Sequence, residues 1–228
     1  MSNPPVSIII PTHNRERLLP AAIESALSQD YPQKEIIVVD DGSTDGTPAV
    51  CARYPVRCIR QENRGGGAAR NAGVLHSRGE LIHFLDDDDI CPPGTLARRV
   101  DCWRQEPHCD VVMGRLRRFT TGPQGDIDFF EADKTLQVLC FGAAIVTRRG
   151  FDLAGGFNET IPVDCAEDVD LWIRMRETGQ SQKFVDDVWL HYRCHEGNAT
   201  RDFRKSTHEF LNLLRVTMQR RRTEAEAQ

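Results

Sequence analysis

Continuous apolar runs of strand length alternate with segments of helical periodicity over the first half of the chain. Ile36–Val39 is apolar at every position, and Val6–Ile10 and Leu81–Leu85 are apolar except at Ser7 and His83, which is typical of strands covered on both faces of a parallel sheet. Weaker runs predict strands at Val56–Gln61 and Cys109–Met113. Between them, apolar residues three to four positions apart predict helices, including 18–27, 49–53 with Asp45 as its cap, and 95–104. This alternation predicts a mostly parallel α/β sheet flanked by helices.

The second half is less regular. The segment Arg115–Asp133 mixes polar residues with glycine and proline, which indicates an excursion of strands and loop. After it, the pattern predicts strands at 141–146 and 184–192, and helices at 148–154, over 167–175 and at 203–222.

Polar clusters follow three of the predicted strands at the point where each strand ends. They are Pro11–Asn14, Asp40 with Asp41, and Asp86–Asp89. Ligands of parallel α/β sheets bind outside the carboxyl ends of the strands. The clusters therefore predict one site at one edge of the sheet.

Four consecutive aspartates at 86–89 concentrate negative charge. Two unit charges about 4 Å apart repel by ~1 kcal/mol in water and ~4 kcal/mol near a protein surface, so we expect something cationic to offset them. Mg²⁺ or Mn²⁺ would do so, because hard divalent ions take carboxylate and phosphate oxygens. The alternative is a solvated acidic turn before a helix, since aspartate also suits turns and caps.

The segment Asn63–Gly73 begins with a run of glycines and continues into a predicted helix. Glycine lets the backbone approach a ligand closely, and a helix N-terminus favours an anion. The spacing matches neither the Walker pattern nor the dinucleotide-binding fingerprint, so neither a P-loop nor a dinucleotide Rossmann site is predicted.

Composition and charge limit the compartment and the partners. The net charge of −5 gives no overall basic face, and we expect no nucleic-acid partner. None of the eight cysteines falls in a metal-ligand spacing or a C-x-x-C pair, which favours reduced thiols and a cytoplasmic location. The first residues carry no basic region of a signal peptide, and no apolar run reaches ~20 residues, so we expect neither a signal peptide nor a membrane span.

Five motifs, in this order, resemble family 2 glycosyltransferases of the GT-A fold. They are Val6–Asn14, Val39–Asp45, Asn63-x-Gly65-x-x-x-Ala69-Arg70-Asn71-x-Gly73, Leu85-Asp86-x-Asp88-Asp89 and Glu167-Asp168-x-Asp170-Leu171. The resemblance runs from about Val6 to His195. It implies a GT-A domain over 1–200, with a nucleotide-binding half at 1–115 and an acceptor-side half at 116–200, followed by a C-terminal helix and basic tail at 201–228. It also implies transfer of a sugar from a nucleotide-diphosphate donor to an acceptor hydroxyl, with inversion.

The resemblance assigns donor-binding roles to residues of the first half. Pro11, Thr12 and Asn14 would line the nucleoside pocket. Asp41 would accept the ring N–H of the base, which needs an acceptor there. Arg70 would stack on the nucleotide or hydrogen-bond to it, a task suited to guanidinium.

The resemblance also implies a divalent metal, Mn²⁺ or Mg²⁺. Asp86 would hold the ribose or a metal-bound water, and Asp88 would be the metal ligand. Since all four positions are aspartate, Asp87 is the alternative ligand. His195, in a segment that resembles the closing motif of the family, would approach the metal or the diphosphate, although a lone histidine is more often structural.

Asp168 would be the general base that removes the proton of the acceptor hydroxyl as its oxygen attacks. An ordinary aspartate, with a pKa of ~3.9, is a weak base for an alcohol, so we expect either late proton transfer or a pKa raised by burial. The alternative is that Glu167 and Asp168 only stabilise the first turn of a helix.

Several alternatives and partners stay open at this level. The resemblance favours UDP, although GDP or dTDP would fit the same residues, and the acceptor could be a glycan, a peptide, a lipid-linked molecule or a small molecule. The C-terminal helix either packs across the domain or contacts a membrane peripherally. Rival interpretations are a nucleotidyltransferase, for which Arg15 and Arg17 provide few early cations, and a non-catalytic nucleotide-binding relative.

Overall fold

Eight strands form one sheet with helices on both faces in the computed structural model, which describes residues 3–122, 125–130, 135–161, 166–195 and 198. The strands are β1 (Val6–Thr12), β2 (Lys34–Asp41), β3 (Arg57–Gln61), β4 (Leu81–Phe84), β5 (Cys109–Thr121), β6 (Ile127–Phe129), β7 (Ala144–Thr147) and β8 (Ser181–Arg193). The helices are α1 (Leu19–Leu27), α2 (Thr47–Cys51), α3 (Gly66–Leu75), α4 (Thr95–Gln105), α5 (Arg148–Leu153) and α6 (Ala166–Glu177).

The strand order is β3-β2-β1-β4-β7-β5-β6, and β8 pairs with β5. Pairs β1–β2, β2–β3, β1–β4 and β5–β8 are parallel, whereas β7 runs antiparallel to both β4 and β5. The predicted mostly parallel α/β sheet is therefore confirmed. Its parallel half ends in the three clusters of polar residues at one edge.

Both faces of the central strands are buried, as their continuous apolar runs predicted. Ile8 and Ile10 face one core, with Leu19 of α1 and Leu96 of α4. Ile9 faces the second core, which α3, α5 and α6 cover. Burial on both faces leaves only the strand ends for polar chemistry.

Two elements differ from their predicted form. β5 extends to Thr121 because β8 pairs with it as far as Phe119, so main-chain pairing carries the strand through Arg115–Phe119 despite its charged residues. The predicted strand at 141–146 begins instead with a 3-10 turn at Phe141–Ala143 and becomes β7 from Ala144.

The predicted helix at 203–222 and the predicted boundary at residue 200 lie outside the described residues. Within the described part of the chain, no helix combines the length and the apolar character needed to cross a membrane.

Candidate active site

A cavity of about 720 Å³ opens at the carboxyl ends of β1, β2 and β4. Pro11, Thr12 and Asp41 line it from β1 and β2, and Asp86–Asp88 line it from the segment after β4. Asp168 closes it from the first turn of α6. The structure thus brings residues from four separate motifs to one concave surface.

Asp41 holds the glycine-rich segment in place. Its Oδ1 accepts hydrogen bonds from the Arg64 N–H (2.9 Å) and from Gln61 Nε2 (2.8 Å), and its Oδ2 accepts one from the Gly65 N–H (2.7 Å). The carbonyl of Asp41 also accepts from His13 Nδ1 at 2.7 Å. Oδ1 thus has two donors and Oδ2 only one, so Oδ2 keeps acceptor capacity for one further donor.

Asn14 is turned away from the predicted nucleoside contact. It adopts φ +54°, and its Oδ1 accepts from the N–H groups of Thr44 (2.7 Å) and Asp45 (3.3 Å). It is not among the described residues that line the cavity, whereas Pro11 and Thr12 are. Asn14 therefore shapes the turn after β2 rather than the cavity wall itself.

Arg70 joins two carboxylates across the cavity. Its guanidinium donates to Asp86 Oδ1 at 2.5 Å and to Glu167 Oε1, and it lies 5.4 Å from the centre of the Phe157 ring. Burial acts to lower the pKa of Arg70, but the charges of Glu167, Asp86 and Asp168 outweigh it and raise that pKa above its usual value. Arg70 is thus a permanent cation between the strand-end aspartates and the start of α6.

The four consecutive aspartates point to different partners. Two of these partners are arginines, whose positive charges offset part of the negative charge of the aspartates, as the sequence predicted. Asp86 contacts Arg70, and Asp87 Oδ1 lies 3.5 Å from Arg15 Nε. Asp88 contacts His195, while Asp89 is buried and accepts the Arg193 N–H at 2.8 Å. Asp89 is therefore a structural residue, and the other three face the cavity.

Asp88 and His195 form the donor pair best suited to a divalent cation. Asp88 Oδ2 lies 2.9 Å from His195 Nε2. Among the described residues, no group of three or more His, Cys, Asp or Glu side chains is placed to hold a metal ion. Mg²⁺ usually takes one or two carboxylates and completes its shell with substrate phosphates and water. The pair fits an ion that is held jointly by the protein and a diphosphate.

Asp168 is fixed by a main-chain group. Its Oδ2 accepts the N–H of Phe141 at 2.9 Å, and Phe141 belongs to the 3-10 turn before β7. Burial raises the pKa of Asp168 to about 7, and the neighbouring Glu167 adds to this rise, while Arg70 opposes it. A carboxylate with such a pKa is far more basic at neutral pH than an ordinary aspartate.

Sequence reasoning missed three of these contacts. The Phe141 N–H is a main-chain donor and leaves no signal in the residue type. Asn71 clamps the main chain of Phe157 from both sides, since Oδ1 accepts its N–H and Nδ2 donates to its carbonyl, each at 2.9 Å. Arg193 donates through Nε to the Asp88 carbonyl at 2.7 Å. Asn71 and Arg193 both lie in segments that resemble motifs of the family. That resemblance is the feature of the sequence that could have identified them.

Residues 7–138 match the family model described as glycosyl transferase family 2. The chain is 30% identical over 221 residues to the chondroitin synthase of Escherichia coli, covering 90% of this chain and 32% of that protein. It is 39% identical over 123 residues to the glycosyltransferase GlyG of Streptococcus pneumoniae, covering 50% of this chain and 40% of that protein. The chain thus spans about a third of the length of the chondroitin synthase.

Solved structures of similar fold include S. aureus TarS 1-349 in complex with UDP-GlcNAc, with a TM-score of 0.73, 20% identity and coverage of 93% of this chain and 65% of that one. They also include the mannosyltransferase PcManGT of Pyrobaculum calidifontis in complex with GDP-Man and Mn²⁺, with a TM-score of 0.69, 24% identity and coverage of 94% and 65%. These likenesses show that the chain shares the GT-A fold.

Proposed function

Because the chain belongs to glycosyl transferase family 2, we propose that it moves a sugar from a nucleotide-diphosphate donor, a UDP-sugar in the first instance, to an acceptor hydroxyl with inversion. The observation that carries this proposal is the meeting of Asp41, Asp88 and Asp168 at one cavity. His195 is not among the described residues that line the cavity, but its Nε2 lies 2.9 Å from Asp88 Oδ2. Family membership favours this reaction over nucleotidyl transfer.

The nucleoside would lie between the ends of β1 and β2 and the glycine-rich segment. Pro11 and Thr12 would form its floor, and the remaining lone pair of Asp41 Oδ2 would accept the ring N–H of uracil. Arg70 would reach the donor from the side of Asp86, which would hold the ribose. The TarS complex supports UDP, and the mannosyltransferase complex supports GDP. The binding experiment described below distinguishes the two nucleotides.

Asp88 and His195 would hold Mn²⁺ or Mg²⁺ together with the diphosphate, with Asp87 as the alternative ligand. When bound there, the ion would neutralise charge on the leaving diphosphate. Asp88 lies 2.9 Å from His195, whereas Asp87 faces Arg15 at 3.5 Å, which supports Asp88.

Asp168 would act as the base in a single displacement. The acceptor oxygen forms a bond to the anomeric carbon as the bond from that carbon to the diphosphate oxygen breaks, and the hydroxyl proton passes to Asp168. Attack from the face opposite the leaving group inverts the anomeric centre. The Phe141 N–H would hold the carboxylate in place, so that its free oxygen faces the acceptor.

We also propose that the protein works in the cytoplasm, because seven cysteines within the described ranges are free thiols. The proposal concerns the reaction of this chain. It assigns neither a particular acceptor nor an activity to any longer protein that contains this chain.

The test is binding and hydrolysis of UDP-, GDP- and dTDP-sugars, with and without Mn²⁺, in the wild type and in Asp88→Asn and Asp168→Asn. We expect one donor to bind with metal, Asp88→Asn to weaken that binding, and Asp168→Asn to keep binding but lose turnover. Asp152→Asn changes an exposed aspartate of α5 in the same way and should leave both unchanged. If no nucleotide sugar binds with metal present, the proposal is wrong.

A further inference from the structure

The cavity wall beyond Asp168 is aliphatic. Leu116, Leu136, Val138 and Leu139 line it, and Val138 keeps 41% of its surface exposed. The donor half of the same cavity, by contrast, is lined by aspartates, an arginine and the glycine-rich segment. Open apolar surface inside a concave site indicates a ligand that is itself apolar there.

Main-chain pairing joins two residues of this wall. The N–H of Leu116 donates to the carbonyl of Leu136 at 2.9 Å, and the N–H of Leu136 donates back at 2.8 Å. Side chains two positions apart on a strand share a face, so Arg118 stands on the same side of β5 as Leu116. Leu116, Leu136 and Arg118 are therefore held on one side of β5 by paired backbone.

Arg118 supplies the charge of this wall. It lines the cavity, it is exposed, and its guanidinium lies 5.7 Å from the centre of the Phe130 ring. No ion pair joins Arg118 to a carboxylate in the described ranges. A cation beside apolar surface complements an anionic amphiphile.

The wall continues directly into the group that fixes the proposed base. Leu139 lies two positions before Phe141, whose N–H donates to Asp168 Oδ2 at 2.9 Å. Leu139, Val138 and Asp168 line the same cavity, so a molecule whose hydroxyl reaches Asp168 would meet this wall. An acceptor with hydroxyl groups on all sides would leave some of them against aliphatic carbon without a partner, which is unfavourable.

We propose that the juxtaposition of Arg118 with the wall of Leu116, Leu136, Val138 and Leu139 beside Asp168 selects an acceptor alcohol that carries an apolar chain and an anionic group. This inference rests on the proposed sugar transfer, and it names the class of acceptor for that reaction. Either a lipid phosphate or another acidic amphiphile has this chemistry.

The first experiment measures binding of octyl phosphate, inorganic phosphate and 1-octanol by calorimetry, below the micelle concentration. We expect octyl phosphate to bind about tenfold more tightly than inorganic phosphate, because that ratio corresponds to the removal of about two methylene groups from water by the wall. It should also bind more tightly than 1-octanol, which lacks the anion. Affinity should be retained with UDP and Mn²⁺ present. Displacement by UDP would place octyl phosphate in the donor site and overturn the proposal.

Matched variants locate the binding surface. Val138→Asn and Arg118→Gln should each weaken octyl phosphate about fivefold, which corresponds to the loss of one partly exposed apolar or ionic contact. The controls are Leu75→Asn, at a leucine that is 80% exposed at the end of α3, and Arg53→Gln, at an exposed arginine after α2. Equal losses in the controls, or no preference over inorganic phosphate, would overturn the proposal.

Separate measurement of donor binding distinguishes the two proposals. Nucleotide-sugar binding without octyl phosphate binding overturns the acceptor class alone. Octyl phosphate binding without any nucleotide-sugar binding overturns both the transfer reaction and the assignment of this wall to an acceptor. Binding of both ligands together, with the losses expected in the two wall variants, supports the proposal. If the bound amphiphile bears a hydroxyl, transfer to it should also be lost in Asp168→Asn.

Discussion

His195 Nε2 lies 2.9 Å from Asp88 Oδ2, although the two residues are 107 positions apart in the chain. Main-chain contacts fix this approach. The N–H of Ile90 donates to the carbonyl of His191 at 3.0 Å, and the N–H of His191 donates back at 2.9 Å. These hydrogen bonds hold the end of β8 against the aspartate segment, which places Asp88 and His195 where they could share the proposed cation.

Asp88→Asn and His195→Ala should each weaken Mn²⁺ binding in the presence of UDP, by about tenfold, since each removes one of two protein donors. The double variant should lose less than the sum of the two, because the donors act on the same ion. Free Mn²⁺ can be followed by electron paramagnetic resonance. Asp87→Asn is the matched control. If it abolishes binding while Asp88→Asn does not, Asp87 is the ligand.

The rate of transfer should rise with pH through about 7, because Asp168 must be ionised to accept a proton and burial raises its pKa to about 7. Below that pH the carboxyl is protonated, and kcat/KM should fall about tenfold for each further pH unit. Asp168→Asn should lower kcat by about 10²–10⁴-fold with little change in donor affinity. A rate that is flat from pH 5 to 8 would argue against Asp168 as the base.

The same raised pKa has a consequence for stability. The folded state binds the Asp168 proton more tightly than the unfolded chain does, so the free energy of unfolding falls as pH rises from about 4 toward 7. Asp168→Asn removes the buried charge and should raise Tm at pH 8 but not at pH 4. Thermal unfolding at both pH values measures this, with Asp152→Asn as the exposed control. An equal change in Tm at both pH values would contradict the burial argument.

Glu167→Gln should move the acidic limb of the pH–rate profile to lower pH. The charge of Glu167 adds to the rise in the pKa of Asp168, whereas Arg70 opposes that rise. Removing the charge of Glu167 therefore lowers the pKa of the base. Glu80→Gln, at an exposed residue just before β4, should leave the profile in place. A profile that moves upward in Glu167→Gln would show that Arg70 had left Asp168.

Gly73→Ala should destabilise the fold by about 1–3 kcal/mol, the usual cost of overpacking a core. Helix propensity alone predicts the opposite, a gain of about 1 kcal/mol in α3. Packing should prevail because a Cβ at position 73 would lie 2.3 Å from Ile9 Cγ2 in β1. Denaturant unfolding measures the difference. Leu75→Ala, in the same helix but 80% exposed, is the control and should change stability little.

The sequence predicted the parts of the fold whose cause is local. Ile8–Ile10 are apolar at every position because both faces of β1 are buried, and that pattern is visible in any window of the chain. The insertion of β7 between β4 and β5 depends on pairing between distant segments, so no local pattern reports it. The polar residues that line the cavity from the ends of β1, β2 and β4 were likewise predictable as strand-end clusters, but the directions of their side chains were not. Asn14 illustrates this, since φ +54° turns its side chain toward Thr44.

The anchor of Asp168 is a peptide N–H, which nineteen of the twenty amino acids supply and only proline lacks. Substitutions in the wall before Phe141 therefore leave this anchor in place, whereas the Phe141 side chain is buried in the second core and is not among the described residues that line the cavity. Under the proposed roles, single substitutions in this wall can change acceptor preference while the anchor of Asp168 is kept. For the engineer, the wall at Val138 and Leu139 is the place to begin when a new acceptor is wanted.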